Sequence, residues 1–306
     1  MLKINKILYP TDFSNCAKHA LTTVINFAEK YNSEVHILHV NTVLHNNYYL
    51  INDYANSRFI DEKTNDYVNE EFSKIMDKVS DRNFKFITTQ KNGISPATII
   101  LEYAETKDIE LIIMGTHGRR GVGHLVLGSI AEEVVRLAKC PVYTIKENIS
   151  DEQIKTVKNV LVPIDFSERS YVSIKYAVEI AEIYKASIQL LHVIEDKLPA
   201  VYALAGKLTI YDLIPDIEEK TKQKLEAIFT ERGSSRILHQ CFVKKGHAAK
   251  DILKFAKEYN SDLIVIATHG ITGFEHLFIG SVAEKVVRMS SCPVFTLKSF
   301  GKSIIN

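Results

Sequence analysis

The sequence predicts an α/β protein built from two copies of one doubly wound domain, each with a five-stranded parallel sheet. Three observations predict it. The chain has 306 residues, roughly twice an ordinary domain and long enough for two cores. It also repeats itself. Lys6–Ser14 (KILYPTDFS) returns as Asn159–Ser167 (NVLVPIDFS), and Leu38-His39-Val40 returns as Leu191-His192-Val193, both at an offset of 153. Ile109–Lys146 aligned with Ser261–Lys298 gives 20 identities in 38 positions. That offset is far longer than a solenoid unit, so it marks a duplicated domain. Finally, short apolar runs alternate with helical spacing, the pattern of a parallel sheet covered by helices on both faces.

The elements of the first copy follow in order. Ile4–Tyr9 is a short apolar run, hence a buried strand. Asp12 and Ser14 are helix-capping types, and Ala17, Ala20, Leu21, Val24, Phe27, Ala28 and Tyr31 then keep helical spacing. Glu34–Val40 is the second strand, Asp61–Ser80 a charged amphipathic helix and Phe84–Thr89 the third strand. Pro96 suits the first position of a helix carried on by Ile99, Ile100, Tyr103 and Ala104. Leu111–Met114 is apolar throughout, as in a strand covered on both faces. Ile130, Val134, Leu137 and Ala138 mark the last helix, and Val142–Ile145 the last strand. The second copy repeats this order. The domains are 1–147 and 158–306, and the polar stretch 148–157 is the linker.

Composition narrows the function. Hydrophobic residues make up 46% and charged residues 25%, which is ordinary for a globular protein. The net charge of +1 calls for neither nucleic acid nor an anionic membrane as partner. The start, MLKINKILYPTDFS, lacks the apolar run of a signal peptide, and no apolar stretch is long enough to span a bilayer. A cytoplasmic location is expected. Cys16, Cys140, Cys241 and Cys292 form no CxxC pair, so no zinc ribbon or redox dithiol is indicated.

Two segments at strand ends are unusual for chemistry. One is Pro10-Thr11-Asp12, which ends the first strand. The other is Gly115-x2-Gly118-x9-Gly128-Ser129, which runs from the fourth strand into a helix. In open α/β sheets, ligands bind beyond the carboxyl ends of strands where the order reverses. Glycine lets the backbone approach a ligand. A helix starting at Ser129 offers free N–H groups and partial positive charge to a phosphate. Asp12 would repel a phosphate but suits a ribose hydroxyl. The bland alternative is an ordinary glycine-bearing turn beside a capping aspartate. The stretch is neither a dinucleotide fingerprint nor a Walker A motif.

At these residues the sequence resembles the universal stress protein family, twice over and across nearly the whole chain. Gly115, Gly118, Gly128 and Ser129 match the Gly-x2-Gly-x9-Gly-Ser/Thr pattern of its ATP-binding members without a gap. Asp12 matches the aspartate ending the first strand, and Val40 the valine whose backbone meets adenine. The resemblance implies the strand order 3-2-1-4-5 of the adenine nucleotide alpha hydrolase-like fold. It also implies an ATP (or ADP or AMP) site. In the first half the implied set is Pro10, Thr11, Asp12, Val40 and Met114, with Gly115, His117, Gly118, Arg119, Gly128, Ser129 and Ile130 from the glycine stretch. In the second half it is Pro163, Ile164, Asp165 and Val193, with Ala267, Gly270, Gly280, Ser281 and Val282. The second half departs at Ala267, where the motif has its first glycine, and has no counterpart to Arg119 and Arg120.

No catalytic set emerges, because no base is placed to activate Ser129 or Ser281. No metal set emerges either and the sequence requires none, although Mg can accompany ATP. His36 and His39 are three apart on a strand and so point to opposite faces. Each is expected to be a core or hydrogen-bonded histidine, and the cysteines before Pro141 and Pro293 buried strand-start residues. The expected function is a tandem nucleotide-binding regulatory module of the stress response without metabolic catalysis. A slow ATP-hydrolysing or autophosphorylating enzyme and a nucleotide-free dimerisation scaffold are the alternatives. Family dimers pair through the last strand, so the two halves are expected to pair within the chain, and a homodimer is also open. The segment Asn41–Ile60 is read either as a variable connection that carries specificity or as a lid packing over the sheet end.

Overall fold

A computed structural model describes residues 3–42, 54–116, 127–147, 149, 152, 156–196, 209–268 and 279–298, with the backbone alone over 54–61. One compact unit is built on Lys3–His124 and Gly128–Glu147, and the other on Asn148–Asn306.

The first unit runs β1 (Lys6–Pro10), α1 (Asn15–Tyr31), β2 (Glu34–Thr42), α2 (Tyr54–Val79), β3 (Phe86–Gly93), α3 (Pro96–Thr106), β4 (Leu111–Gly115), α4 (Ser129–Leu137) and β5 (Val142–Ile145). Its strands lie in the order β3-β2-β1-β4-β5, all parallel. The second unit runs β6 (Asn159–Pro163), α5 (Glu168–Tyr184), β7 (Ser187–Ile194), α6 (Ile210–Leu213), α7 (Ile217–Arg232), β8 (His239–Lys245), α8 (Ala248–Glu258), β9 (Leu263–Ala267), α9 (Ser281–Met289) and β10 (Val294–Leu297). Its order, β8-β7-β6-β9-β10, is the same topology, again parallel. Both orders reverse beside the first strand of the unit, which places the crevice at the carboxyl ends of β1 and β4 and of β6 and β9.

The central strands are apolar because both faces are covered. Ile7, Leu8, Tyr9, Leu111, Ile112 and Ile113 are fully buried in the first unit, as are Val160, Leu161, Val162, Leu263, Ile264 and Val265 in the second. The helices start where the sequence places their caps. Ser14 accepts from the Ala17 N–H and Ser167 from the Ser170 N–H. Ser95 caps α3, with Pro96 next. Asn32 and Lys185 end α1 and α5 in the left-handed conformation.

The first strand is Lys6–Pro10 rather than Ile4–Tyr9 and the fourth reaches Gly115, and larger shifts occur elsewhere. The helix expected at Asp61–Ser80 begins at Tyr54, because no glycine or proline interrupts the chain from there to Val79. The last residues of the expected Asn41–Ile60 connection are therefore helical, and Asn41 and Thr42 extend β2; residues 43–53 lie outside the described residues. The third strand, expected at Phe84–Thr89, is Phe86–Gly93. Pairing with β2 continues to Thr42 opposite Gly93, so its polar end is set by the ladder rather than by hydrophobic pattern. Cys140 is buried as expected, whereas Cys292 is only half-buried, its N–H bonded to the Ser290 hydroxyl.

Candidate functional site

β1 lies against β4 with Ile7 opposite Leu111 and Leu8 opposite Ile112. Continuing that register sets Pro10 beside Met114 and Thr11 beside Gly115. The two unusual segments are therefore neighbours at one end of the sheet. Pro10 and Met114 are buried beneath the turn that follows.

That turn is built by side chains bonding to backbone. The Phe13 N–H donates to the Thr11 hydroxyl at 3.0 Å, and the Ser14 N–H to Asp12 Oδ1 at 3.0 Å. Ser14 then caps α1. Phe13 has φ of +63°, a left-handed conformation that costs a non-glycine residue about 1 kcal/mol or more. Packing holds it there. The Phe13 ring is buried and stacks on His39 with centroids 4.6 Å apart, and Phe72 meets its edge at 5.6 Å. The same histidine braces the backbone, its Nδ1–H donating to the Thr11 carbonyl at 2.8 Å. Since a carbonyl only accepts, Nδ1 must carry the proton. Asp12, half-buried, is thus presented at the strand end on a fixed turn.

The second unit repeats the device. Phe166 has φ of +64°, and Asp165 Oδ1 accepts from the Ser167 N–H at 3.0 Å and its hydroxyl at 2.6 Å. His192 donates Nδ1–H to the Ile164 carbonyl at 2.7 Å, with its ring 4.5 Å from Phe166. Burial pushes His192 below the usual histidine range, which keeps it neutral. The differences are local. Ile164 lacks the hydroxyl that Thr11 offers, and Lys224 Nζ sits 4.2 Å over the Phe166 ring. The second site thus has a cation nearby, which the pattern of loop arginines alone did not indicate.

At the other wall, the Thr116 N–H donates to Ile145 O at 2.9 Å and the Gly128 N–H to Thr116 O at 2.8 Å, so the stretch from Thr116 to Gly128 leaves and returns at one point. Gly128 is the N-cap of α4 and supplies no side-chain bond. The first turn closes with the Glu132 N–H on Gly128 O, so the N–H groups of Ser129, Ile130 and Ala131 have no acceptor within the helix. Ser129 and Ile130 are exposed. Gly280, Ser281 and Val282 begin α9 in the same way, with Ser281 exposed and the Glu284 N–H on Gly280 O.

The described glycines differ in what they require of the residue. Gly128 and Gly280 have φ of −64° and −60°, so neither needs glycine's freedom at positive φ. Gly115 is explained by packing. A Cβ there would lie 2.8 Å from Cys16 Sγ and 3.0 Å from the Cys16 backbone carbon. In the second half the motif position is Ala267, and the residue aligned with Cys16 is Arg169. Val40 is half-buried near the end of β2, paired with Lys91, and Val193 is buried opposite Lys244. His117, Gly118, Arg119, Arg120 and Gly270 lie outside the described residues, as do His124, His269 and His276.

His36 is a core histidine. It accepts from the Tyr103 hydroxyl at Nδ1 (2.9 Å) and donates from Nε2 to Glu34 (2.8 Å), while burial holds it below the usual histidine range. It faces α3, away from His39. No described helix is long and apolar enough to cross a membrane.

The fold and the strand-end crevice define a tandem, doubly wound α/β protein with two equivalent candidate sites. The chain belongs to the universal stress protein family, whose profile matches residues 3–146 and again 156–298. Universal stress protein MJ0531 of Methanocaldococcus jannaschii is 32% identical over 142 residues, covering 46% of this chain and 82% of that protein. Universal stress protein YxiE of Bacillus subtilis is 32% identical over 144 residues, covering 45% of this chain and 97% of that protein. Each relative thus corresponds to a single copy. A universal stress protein structure from Archaeoglobus fulgidus matches over 96% of this chain and 98% of its own, with a TM-score of 0.67 and 23% identity, a likeness of fold.

Proposed function

We propose that this tandem universal stress protein is a cytoplasmic regulatory module that binds an adenine nucleotide, ATP or its di- or monophosphate, without dedicated metabolic catalysis. One observation carries the reading: the glycine-capped start of α4 stands beside the braced Asp12 turn where the strand order reverses. The free N–H groups of Ser129 and Ile130 suit phosphate oxygens. Asp12 suits ribose hydroxyls, the Val40 backbone suits the adenine edge, and Mg would accompany a triphosphate. Asp165, Val193, Gly280 and Ser281 offer the second half an equivalent arrangement. The proposed domains are 1–147 and 158–306, joined by 148–157 and pairing through β5 and β10.

Mass spectrometry of gently purified protein should find co-purified ATP, ADP or AMP. Calorimetry should lose the binding heat of the first site in Gly118→Val, because a branched side chain would fill phosphate space. Unchanged affinity in that variant contradicts the reading. Phosphate release in a single-turnover experiment would favour the slow-enzyme alternative instead.

A further inference from the structure

Away from the strand-end crevice, the second unit gathers three metal-binding side chains, a cluster without a counterpart among the described residues of the first unit. His239 and Cys241 are two apart on β8, so both side chains face the same side of the sheet. Glu226 stands on α7, the helix that covers that face. One ligand atom from each of Glu226, His239 and Cys241 lies within 4.8 Å of the other two. His239 Nε2 is 2.9 Å from Glu226 Oε2. The imidazole is held in orientation by Phe229, stacked at 3.9 Å between centroids.

We propose that Glu226, His239 and Cys241 form a site for one zinc-like divalent transition-metal ion. A tetrahedral ion with bonds of about 2.0 Å to N or O and about 2.3 Å to S spaces its ligands roughly 3.3–3.6 Å apart. The observed cluster closes to that spacing by small side-chain rotations. A thiolate and an imidazole select a borderline-soft ion and disfavour calcium and magnesium, which take oxygen. Three protein ligands leave a fourth position for water or a further donor. Binding moves the His239 ring proton from Nε2 to Nδ1, which frees Nε2 for the metal, and breaks the Cys241 S–H bond, sending that proton to solvent and forming the metal–sulfur bond. Thiolate and carboxylate then bring two negative charges, against the one positive charge of nearby Lys222.

The internal repeat is the control. The sheet registers align His239 with Phe86 and Cys241 with Thr88, and the 153-residue offset aligns Glu226 with Ser73. None of the three first-half residues is a metal ligand of this kind, so the shared fold does not require the donors. A nucleophilic role for the thiol is disfavoured. Cys241 is buried, and burial, with Glu226 beside it, pushes its pKa up to about 12. It is thus an uncharged thiol at neutral pH until a metal displaces the proton.

The test uses untagged full-length protein, chelator-stripped and kept reduced, titrated with Co(II) alone. One equivalent should produce thiolate-to-cobalt charge-transfer absorption and the intense visible bands of a four-coordinate ion, and Zn(II) should displace it. Cys241→Ser should lose the charge-transfer band, and Glu226→Gln and His239→Gln should each weaken binding at least tenfold. Zn(II) should raise the urea midpoint of the wild type but not of Glu226→Gln, a readout that holds even if Cys241→Ser folds poorly. Absence of the charge-transfer band in the wild type overturns the proposal. So does its survival at full strength in Cys241→Ser or in both other variants.

Discussion

Gly115 is glycine because Cys16 leaves no room for a methyl group. Gly115→Ala should therefore cost about 1–3 kcal/mol, the usual range for overpacking, and urea unfolding would show it as a lower midpoint. An unchanged midpoint would mean that α1 moves aside freely. The sequence alone could not reveal this, because the glycine belongs to a phosphate-loop pattern while its neighbour lies 99 positions earlier in the chain. The histidines were more legible. Opposite faces for His36 and His39 follow from strand geometry, and both are hydrogen-bonded. What the pattern could not show is that His39 and His192 brace the aspartate turns. Burial lowers the pKa of His36 and of His192 in the folded protein. As pH falls below about 6.5, the unfolded chain takes up these protons first, so stability should drop between pH 7 and 5. Glu34, whose carboxyl is held low chiefly by Lys85, loses its contribution only in the more acidic carboxylate range. A His36→Gln, His192→Gln double variant should flatten the slope between pH 7 and 5; an equal slope would assign it to other groups.

Elements set by dense apolar runs were readable and those set by pairing were not. β5 begins and ends where its four apolar-rich residues predict. β3 is carried into Gln90–Gly93 by backbone bonds to β2, which leave no hydrophobic mark. The Glu226, His239, Cys241 cluster was hidden for a similar reason. Its only local trace is His-x-Cys on a strand, and the third donor comes from the preceding helix. The last strand of each copy, VYTI and VFTL, ends its sheet order, and bare apolar edges invite pairing. The halves 1–147 and 158–306, expressed separately and mixed, should associate in sedimentation experiments. Halves that stay monomeric alone and together would remove the pairing proposal.

At the scale of the whole molecule, duplication makes each half a control for the other. The Asp-Phe-Ser turn, the bracing histidine and the glycine-capped helix recur almost atom for atom. Gly115 is closely packed against Cys16, and the halves contrast in Ala267 for Gly115, in Ile164 for Thr11, in Lys224 over Phe166, and in Arg119 and Arg120 against Ile271 and Thr272. A pair of loop arginines would add roughly 1 kcal/mol, which favours the first site by something under tenfold. Calorimetric titration with ATP of the wild type, Asp12→Ala and Asp165→Ala measures this most directly. Binding of two equivalents is predicted for the wild type, falling to one in each variant, with the tighter class lost in Asp12→Ala. No binding heat in the wild type, or two equivalents retained in Asp12→Ala, would contradict a nucleotide site at the end of β1.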